Sequence, residues 1–300
     1  MKLISYYSGR EARLGVLKDD GVVDLQRAAW DIGKDLPSDM RGFIGLGEAG
    51  LDIAEAALQS ARPTPLAPGQ IAPPLPDLRK NVFAVGRNYH EHMQEGARAR
   101  GEERATPEHV VFFTKASSSV IGHEGEIQFD ATVTQKLDYE VELVIVIGRR
   151  GRNVVPEHAL EHVYGYTIGN DVSARDAQRA HLQWFKGKSM DTFCPLGPCI
   201  VPKRYFGDVQ NKRITLRVNG ETRQDSTTAK MIFDVPTIVH ELSLGLTLET
   251  GDLIMTGTPS GVALGMTPQK WLQPGDLVEG EIEGIGILRN RVVRYEESAA

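Results

Sequence analysis

The sequence predicts a β-rich α+β fold, with a small N-terminal α+β domain over residues 1–72 and a larger second domain over residues 73–300. Three observations carry that prediction. Strand-like apolar runs dominate from Val110 onward. Helical segments are too few and too irregularly placed for a doubly wound sheet. Between the two parts, Pro63, Pro65, Pro68, Pro73, Pro74 and Pro76 crowd one stretch. Proline at that density builds neither a helix interior nor a central strand, so the stretch reads as an extended connector.

In chain order, "KLISYY", "RLGVLK" and "GVVDL" read as short strands parted by glycine and charged turns. "DIAEAALQSA", from Asp52 to Ala61, has helical spacing with Asp52 as its expected N-cap. "NVFAVG" is a short apolar strand, and it gives way to "RNYHEHMQEGARARGEERATPEH". The charge of that segment, with Gly96 and Gly101, predicts an exposed and mobile stretch. Strands follow at "VVFFTK", "LDYEVELVIVIG", "VYGYTIGNDV", "RITLRVNGETRQD", "DLIMTGTPSGV" and "DLVEGEIEGIGILRNRVV", with Asn219-Gly220 marking a hairpin. Two helices interrupt them. One opens at Ser173, where "SARD" has the form of a capping box with Asp176 at N3, and runs toward Trp184. The other, "DVPTIVHELSLG", takes Asp234 as cap and Gly245 as stop.

Composition narrows the partners. With 300 residues and 41% hydrophobic content the chain can bury a sizeable core. A net charge of −6 spread along the chain leaves no footprint for nucleic acid or an anionic membrane surface, so small molecules are the expected partners. No apolar leader and no run near the ~18 apolar residues of a membrane span are present, which points to the cytoplasm. Cys194 and Cys199 fit neither a C-x-x-C nor a zinc spacing and read as buried small hydrophobes. Several look-alike motifs fail on one residue each. "GKS" has Leu182 where a P-loop needs glycine, "HEHMQE" has Gln94 where a zinc protease needs histidine, and Ser260 is out of register with a nucleophile elbow. No G-x-G-x-x-G opens a helix for a dinucleotide.

The informative stretch is "LDYEVELVIVIG". Strand alternation puts Glu140 and Glu142 on one side with Val144 and Val146, and Tyr139, Val141, Leu143 and Ile145 on the other. Two carboxylates side by side on a half-buried face repel and lose solvation, so something must compensate them. Oxygen-rich sites without thiolates suit a hard divalent cation such as Mg²⁺. Asp171, where an apolar strand meets a helix start, is the best candidate for a third ligand.

Seven motifs then appear in order: "VGRNYHEHMQE", "FFTKASSSVIG", "DYEVEL", "GNDVSARD", "KGKS", "TGTPSGV" and "LQPGDLVEGEIEGIGILRNRV". Over residues 80 to 295 the chain resembles the fumarylacetoacetate hydrolase family. The resemblance implies a mixed β-sandwich or roll, one Mg²⁺ or Mn²⁺ per chain at Glu140, Glu142 and Asp171, and a lysine close to the metal at Lys188. Three carboxylates, a divalent ion and one ammonium sum to zero, which favours a dianionic intermediate. Family members form dimers, and the several apolar strands here offer more edge than one domain buries; a homodimer is therefore expected.

The chemistry implied is that of a metal-dependent hydrolase cleaving a C–C bond of an acylpyruvate-type 2-oxo acid such as fumarylpyruvate. Relatives with the same site carry out 2-oxo-diacid decarboxylation, isomerisation of 2-hydroxyhepta-2,4-diene-1,7-dioate type, or oxaloacetate tautomerisation. A retired enzyme kept as a metal-binding regulator is the alternative outside catalysis. Water attack on an acyl carbonyl calls for a general base. His92 is the candidate, with Glu95 three residues on to orient it and His90 left facing solvent. The charged run from Glu95 to His109 fits a lid that orders over ligand. Arg87, Arg175 and Gln178 are candidates for the substrate carboxylate or distal oxygen, and Ser118 and Thr258 for second contacts.

Overall fold

The computed structural model describes residues 1–19, 21–98, 101 and 106–296. The opening segment holds strands β1 (Leu3–Ser8), β2 (Glu11–Lys18) and β3 (Gly21–Asp24), helices α1 (Leu25–Asp31), α2 (Met40–Gly45) and α3 (Gly47–Leu58), and the short strand β4 (Thr64–Pro65). The rest begins with β5 (Val82–Gly86), α4 (His90–Arg98), β6 (Val111–Lys115), β7 (Val120–Ile121), β8 (Glu126–Phe129), β9 (Leu137–Asp138) and β10 (Val141–Ile147). It continues through α5 (Ala159–His162), β11 (Val163–Asn170), β12 (Ser173–Ala174), α6 (Arg175–Ala180), α7 (Phe185–Lys188), β13 (Cys194–Pro202) and α8 (Lys203–Phe206). Last come β14 (Arg213–Val218), β15 (Glu221–Thr227), α9 (Val235–Ser243), β16 (Leu253–Met255), β17 (Leu277–Ile282) and β18 (Gly286–Arg294).

Mixed sheets dominate, as the β-rich α+β reading requires. The large sheet runs β4-β3-β2-β1-β13-β11-β10-β16-β5-β6, with β7 added against β13; a second sheet runs β15-β14-β17-β18-β8. The strand β10 lies in the middle of the large sheet and each face of it meets a different core. Tyr139, Val141, Leu143, Ile145 and Ile147 pack with β14, β17, β18 and α9. Val144 and Val146 pack with α1, α2 and α3 of the opening segment. Residues 1–72 thus share both a sheet, through Leu3 paired with Ile200, and a core with the larger C-terminal part.

Local chemistry explains most of the elements and corrects a few. Asn219 and Gly220 take φ of 52° and 79° and turn β14 into β15. Asp234 caps α9 by accepting from Thr237 N. By contrast, Asp52 lies inside α3, which starts five residues earlier without a side-chain cap. The helix expected from Ser173 to Trp184 is two short ones, α6 and α7. Ser173 Oγ donates to Asp171 O, and Asp176 accepts from Thr134 Oγ1 and Gln135 N, so neither serves a capping box. The charged segment after β5 forms α4, with Met93, Gly96 and Ala97 buried, rather than an exposed stretch; of the expected lid, residues 99–100 and 102–105 lie outside the described residues. The strand β13 has no clear sequence signal, because Pro195, Pro198 and Pro202 mask a fully buried run that includes both cysteines. Among the described residues no helix is long and apolar enough to cross a membrane.

One buried amide stitches the two sheets beside the site. Gln224 of β15 is fully buried, accepts from Val141 N at 3.1 Å, and donates to Thr258 Oγ1 and Pro259 O at 2.8 Å each. Gln224→Leu keeps the volume and removes the amide partner of Val141 N and Pro259 O, and should destabilise the protein by about 1–3 kcal/mol in urea unfolding. A change within about 0.5 kcal/mol, the range of an ordinary surface substitution, would contradict this role.

Candidate active site

The site forms where two antiparallel strands lose their regular ladder. Strands β10 and β11 pair as far as Val141 with Asn170, and β9 and β12 resume the pairing with Asp138 opposite Ser173. In the gap, Asp171 N donates to Glu140 O at 2.8 Å, and Glu140 N donates to Asn170 Oδ1 at 2.9 Å. Glu140 and Asp171 therefore face each other across the break, and alternation sets Glu142 on the same side as Glu140. Ligand oxygens of Glu140, Glu142 and Asp171 all lie within 4.8 Å of one another, and all three residues are buried.

Burial of three like charges is offset by named partners. Arg175 donates to Asp138 Oδ2 at 2.9 Å and Glu140 Oε1 at 2.5 Å. Lys188 Nζ bridges Glu140 Oε2 at 2.6 Å and Asp171 Oδ2 at 2.5 Å. Lys115 Nζ donates to Asp171 Oδ1 at 2.5 Å. Glu142 accepts from Gly257 N at 2.6 Å. That approach needs glycine: its φ is +92°, and a Cβ there would stand 2.8 Å from Asn88 Cβ. For Glu140, burial acts upward on the pKa, but Arg175, Lys188 and His92 outweigh it and hold the carboxyl well below its ordinary range. For Glu142, burial and then the charges of Asp171 and Glu140 push the carboxyl well above that range. Burial disfavours the Lys188 ammonium, yet Asp171 and Glu140 keep its pKa above the ordinary value.

Glu142 is thus the carboxylate left short of positive charge, and its two neighbours offer oxygens at coordinating separation. The donor set is all oxygen and buried, which fits a hard divalent cation. The charge balance differs from the sequence expectation of a single ammonium. Among the described residues three cations touch the triad, and Arg175 is shared with a fourth carboxylate, Asp138. A divalent ion would leave the cluster one positive charge in excess, which suits an anionic substrate.

The triad opens onto a cavity of about 580 Å³, lined among others by Arg87, His92, Phe113, Arg175, Gln178, Trp184, Lys188 and Thr258. His92 Nε2 lies 3.8 Å from Glu140 Oε1 and its Nδ1 lies 3.5 Å from Glu95 Oε2. Among the described residues Nδ1 has no hydrogen-bond partner, and Glu95 accepts from Gly261 N at 3.1 Å. His90 is exposed. Arg87 holds a left-handed backbone, φ 59°, with its guanidinium 5.5 Å from the Trp184 ring. Arg175 lies on the wall, but its Nη1 donates to Gln178 and its other donors hold Asp138 and Glu140, so it orders the acidic cluster. Thr258 Oγ1 donates to Val141 O and braces the strand. Ser118 is the candidate that the fold does not bring in. It stands exposed in the turn Ser117–Ser119, while Lys115, three residues earlier, reaches the triad.

Lys115 and Asp138 are the participants that sequence reasoning missed. Asp138 had a signal, since strand alternation extends from Glu142 and Glu140 to position 138. Lys115 had only a weak one, a lysine ending an apolar strand.

The raised Glu142 pKa has a measurable sign. A proton and a cation compete for this carboxylate, so ion affinity falls as pH falls and rises with pH until Glu142 is ionised without help. Titration calorimetry with Mn²⁺ in buffers of different ionisation enthalpy should find net proton release on ion binding that grows as the pH is lowered; no release at any pH would contradict the assignment. Glu142→Gln should lose ion binding and leave the fold intact by circular dichroism.

Residues 81–293 match the family described as fumarylacetoacetate (FAA) hydrolase, C-terminal. The oxaloacetate tautomerase YisK of Bacillus subtilis (strain 168) is 45% identical over 219 residues, 73% of this chain and 71% of that protein. The solved structure of a fumarylacetoacetate hydrolase from psychrophilic Exiguobacterium antarcticum matches with TM-score 0.82 and 41% identity, covering 98% of this chain and 100% of that one. A maleylpyruvate hydrolase from Sphingobium sp. SYK-6, in complex with manganese(II) and pyruvate, matches with TM-score 0.79 and 28% identity over 99% and 100%. With a family match across more than half its length and relatives this similar, the chain belongs to the fumarylacetoacetate hydrolase family of enzymes.

Proposed function

We propose that the protein interconverts the keto and enol forms of a 2-oxo diacid of the oxaloacetate kind, using Mg²⁺ or Mn²⁺ held by Glu140, Glu142 and Asp171. The observation that carries this reading is the buried acidic triad, with Lys188 against it and His92 beside Glu140 at the floor of a polar cavity. When bound, the ion supplies a Lewis acid for the oxygens of a 2-oxo acid. Tautomerisation moves one proton between the carbon next to the ketone and the ketone oxygen, and needs no activated water. His92, on the cavity wall, would take the proton from that carbon and as imidazolium give it to the oxygen, and would carry it the opposite way when the enol returns to the ketone. The Lys188 ammonium, raised in pKa by Asp171 and Glu140, stays charged and steadies negative charge developing on the oxygen. Arg87, on the same wall, suits the second carboxylate. The tautomerase relative supports the same reaction.

A second reading, hydrolysis of an acylpyruvate, draws on the nearness of His92 to Glu95 and on the maleylpyruvate hydrolase neighbour. Hydrolysis needs His92 to activate water, and here Glu95 is engaged with Gly261 N. Tautomerisation asks less of that pair and is therefore placed first.

Oxaloacetate keto–enol conversion, followed by the ultraviolet absorbance of the enol, and acylpyruvate disappearance, both with Mg²⁺ or Mn²⁺, separate the two. The wild type should accelerate the first reaction. His92→Ala should lower kcat by about 10²-fold or more while Mn²⁺ affinity is kept. Acylpyruvate turnover without any oxaloacetate tautomerisation would reverse the order of the readings, and an unchanged kcat in His92→Ala would remove His92 from the proton transfer.

A further inference from the structure

We propose that Lys115 is a positioning residue for the cation site, acting through Asp171 and through the main chain of Lys188. The proposal rests on the reading that Glu140, Glu142 and Asp171 hold a divalent ion. Lys115 closes β6 and is fully buried. It is absent from the cavity wall, where Lys188 is present, so the two lysines next to Asp171 have different tasks. Lys188 faces the cavity, whereas Lys115 works from behind.

Three contacts define that task. Lys115 Nζ donates to Asp171 Oδ1 at 2.5 Å, to Val172 O at 3.2 Å and to Lys188 O. An ammonium has three hydrogens, and each finds an acceptor. A buried ammonium without such acceptors would be strongly disfavoured, so the lysine and its three partners stabilise one another. Because Lys115 takes Oδ1, Asp171 is left with Oδ2 on the side it shares with Glu140, where Lys188 Nζ spans the two carboxylates. The same ammonium ties the carbonyl of Lys188, so the acidic ligand after β11 and the helical turn α7 are held to one point at the end of β6. Without it, Asp171 would have a buried oxygen lacking a partner and freedom to rotate.

The charge matters as well as the hydrogen bonds. Lys115 is one of three cations that touch the triad among the described residues, and its loss would cancel the positive excess that a bound divalent ion would create. Groups standing behind a metal ligand in this way commonly change affinity by about 10- to 100-fold when removed.

The test uses the full chain and Mn²⁺ alone as probe, by titration calorimetry, with thermal unfolding in EDTA as the measure of folding. Lys115→Met should bind Mn²⁺ at least about tenfold more weakly than wild type at a temperature where both are folded. Lys115→Arg, which keeps the charge, should bind more tightly than Lys115→Met. Ser189→Ala removes a hydroxyl that bonds Ala116 N and Thr114 O beside the same segment without touching the triad, and should stay within about twofold of wild type. Wild-type affinity in Lys115→Met, equal affinity in the Met and Arg variants, or equal weakening in Ser189→Ala would each overturn the role. If Lys115→Met does not fold, Lys115→Gln takes its place under the same criteria. A wild type that binds no Mn²⁺ removes the cation-site reading itself, whereas normal wild-type binding with an unaffected Lys115→Met removes only Lys115.

Discussion

Mutual repulsion among Glu140, Glu142 and Asp171 is the constraint on which the rest of this structure turns. Three buried carboxylates with ligand oxygens within 4.8 Å of one another are tolerated only if positive charge offsets them. Each unusual local feature answers that demand. Arg175 spans Asp138 and Glu140, Lys188 spans Glu140 and Asp171, Lys115 holds Asp171 from behind, and the Gly257 amide approaches Glu142. Among the described residues Glu142 has a backbone donor and a more distant ammonium and keeps a raised pKa, and it is the carboxylate that a divalent cation would satisfy under the proposed reading.

The fold makes such a cluster bearable by confining it to the end of one strand. Along β10 the same face that carries Glu142 continues as Val144 and Val146 against the N-terminal helices, and the opposite face is apolar throughout. The cost of buried charge is thus spread over a strand whose remaining residues bury well on both sides. The ladder break between β9 and β10, matched by the break between β11 and β12, then lets Glu140 and Asp171 meet across strands. Breaks and glycine-borne backbone positions at such a site trade regular pairing for placement of polar groups.

Much of this was legible because it depends on near neighbours. Alternation alone placed Glu140 and Glu142 on the face of Val144 and Val146, and the same alternation would have reached Asp138. The Asn219-Gly220 turn and the Asp234 cap are satisfied within a few residues, and both formed as expected. Errors arose where a local signal was outbid by a distant partner. Asp176 had the spacing of a capping residue but found Thr134 and Gln135. The prolines of β13 argued against a strand, yet that strand lies between β1 and β11 in the large sheet, fully buried. Ser118 had the composition of a binding turn, but the strand before it delivered Lys115 instead.

By itself, then, the sequence determined the β-rich class, the carboxylate face of one strand and the family to which its ordered motifs belong, since periodicity and short motifs depend on residues within a few positions of each other. Only the tertiary structure decided which cations answer the carboxylates. Lys115 meets Asp171 across 56 residues and Lys188 across 73, and Lys188 meets Glu140 across 48. Those pairings join the end of β6, the turn after β11 and the helical turn α7, segments far apart in the chain that the tertiary fold brings together. A lysine's side chain looks the same in sequence whether it ends in solvent or beside a buried aspartate, and the difference is set by the desolvation and charge that long-range packing imposes.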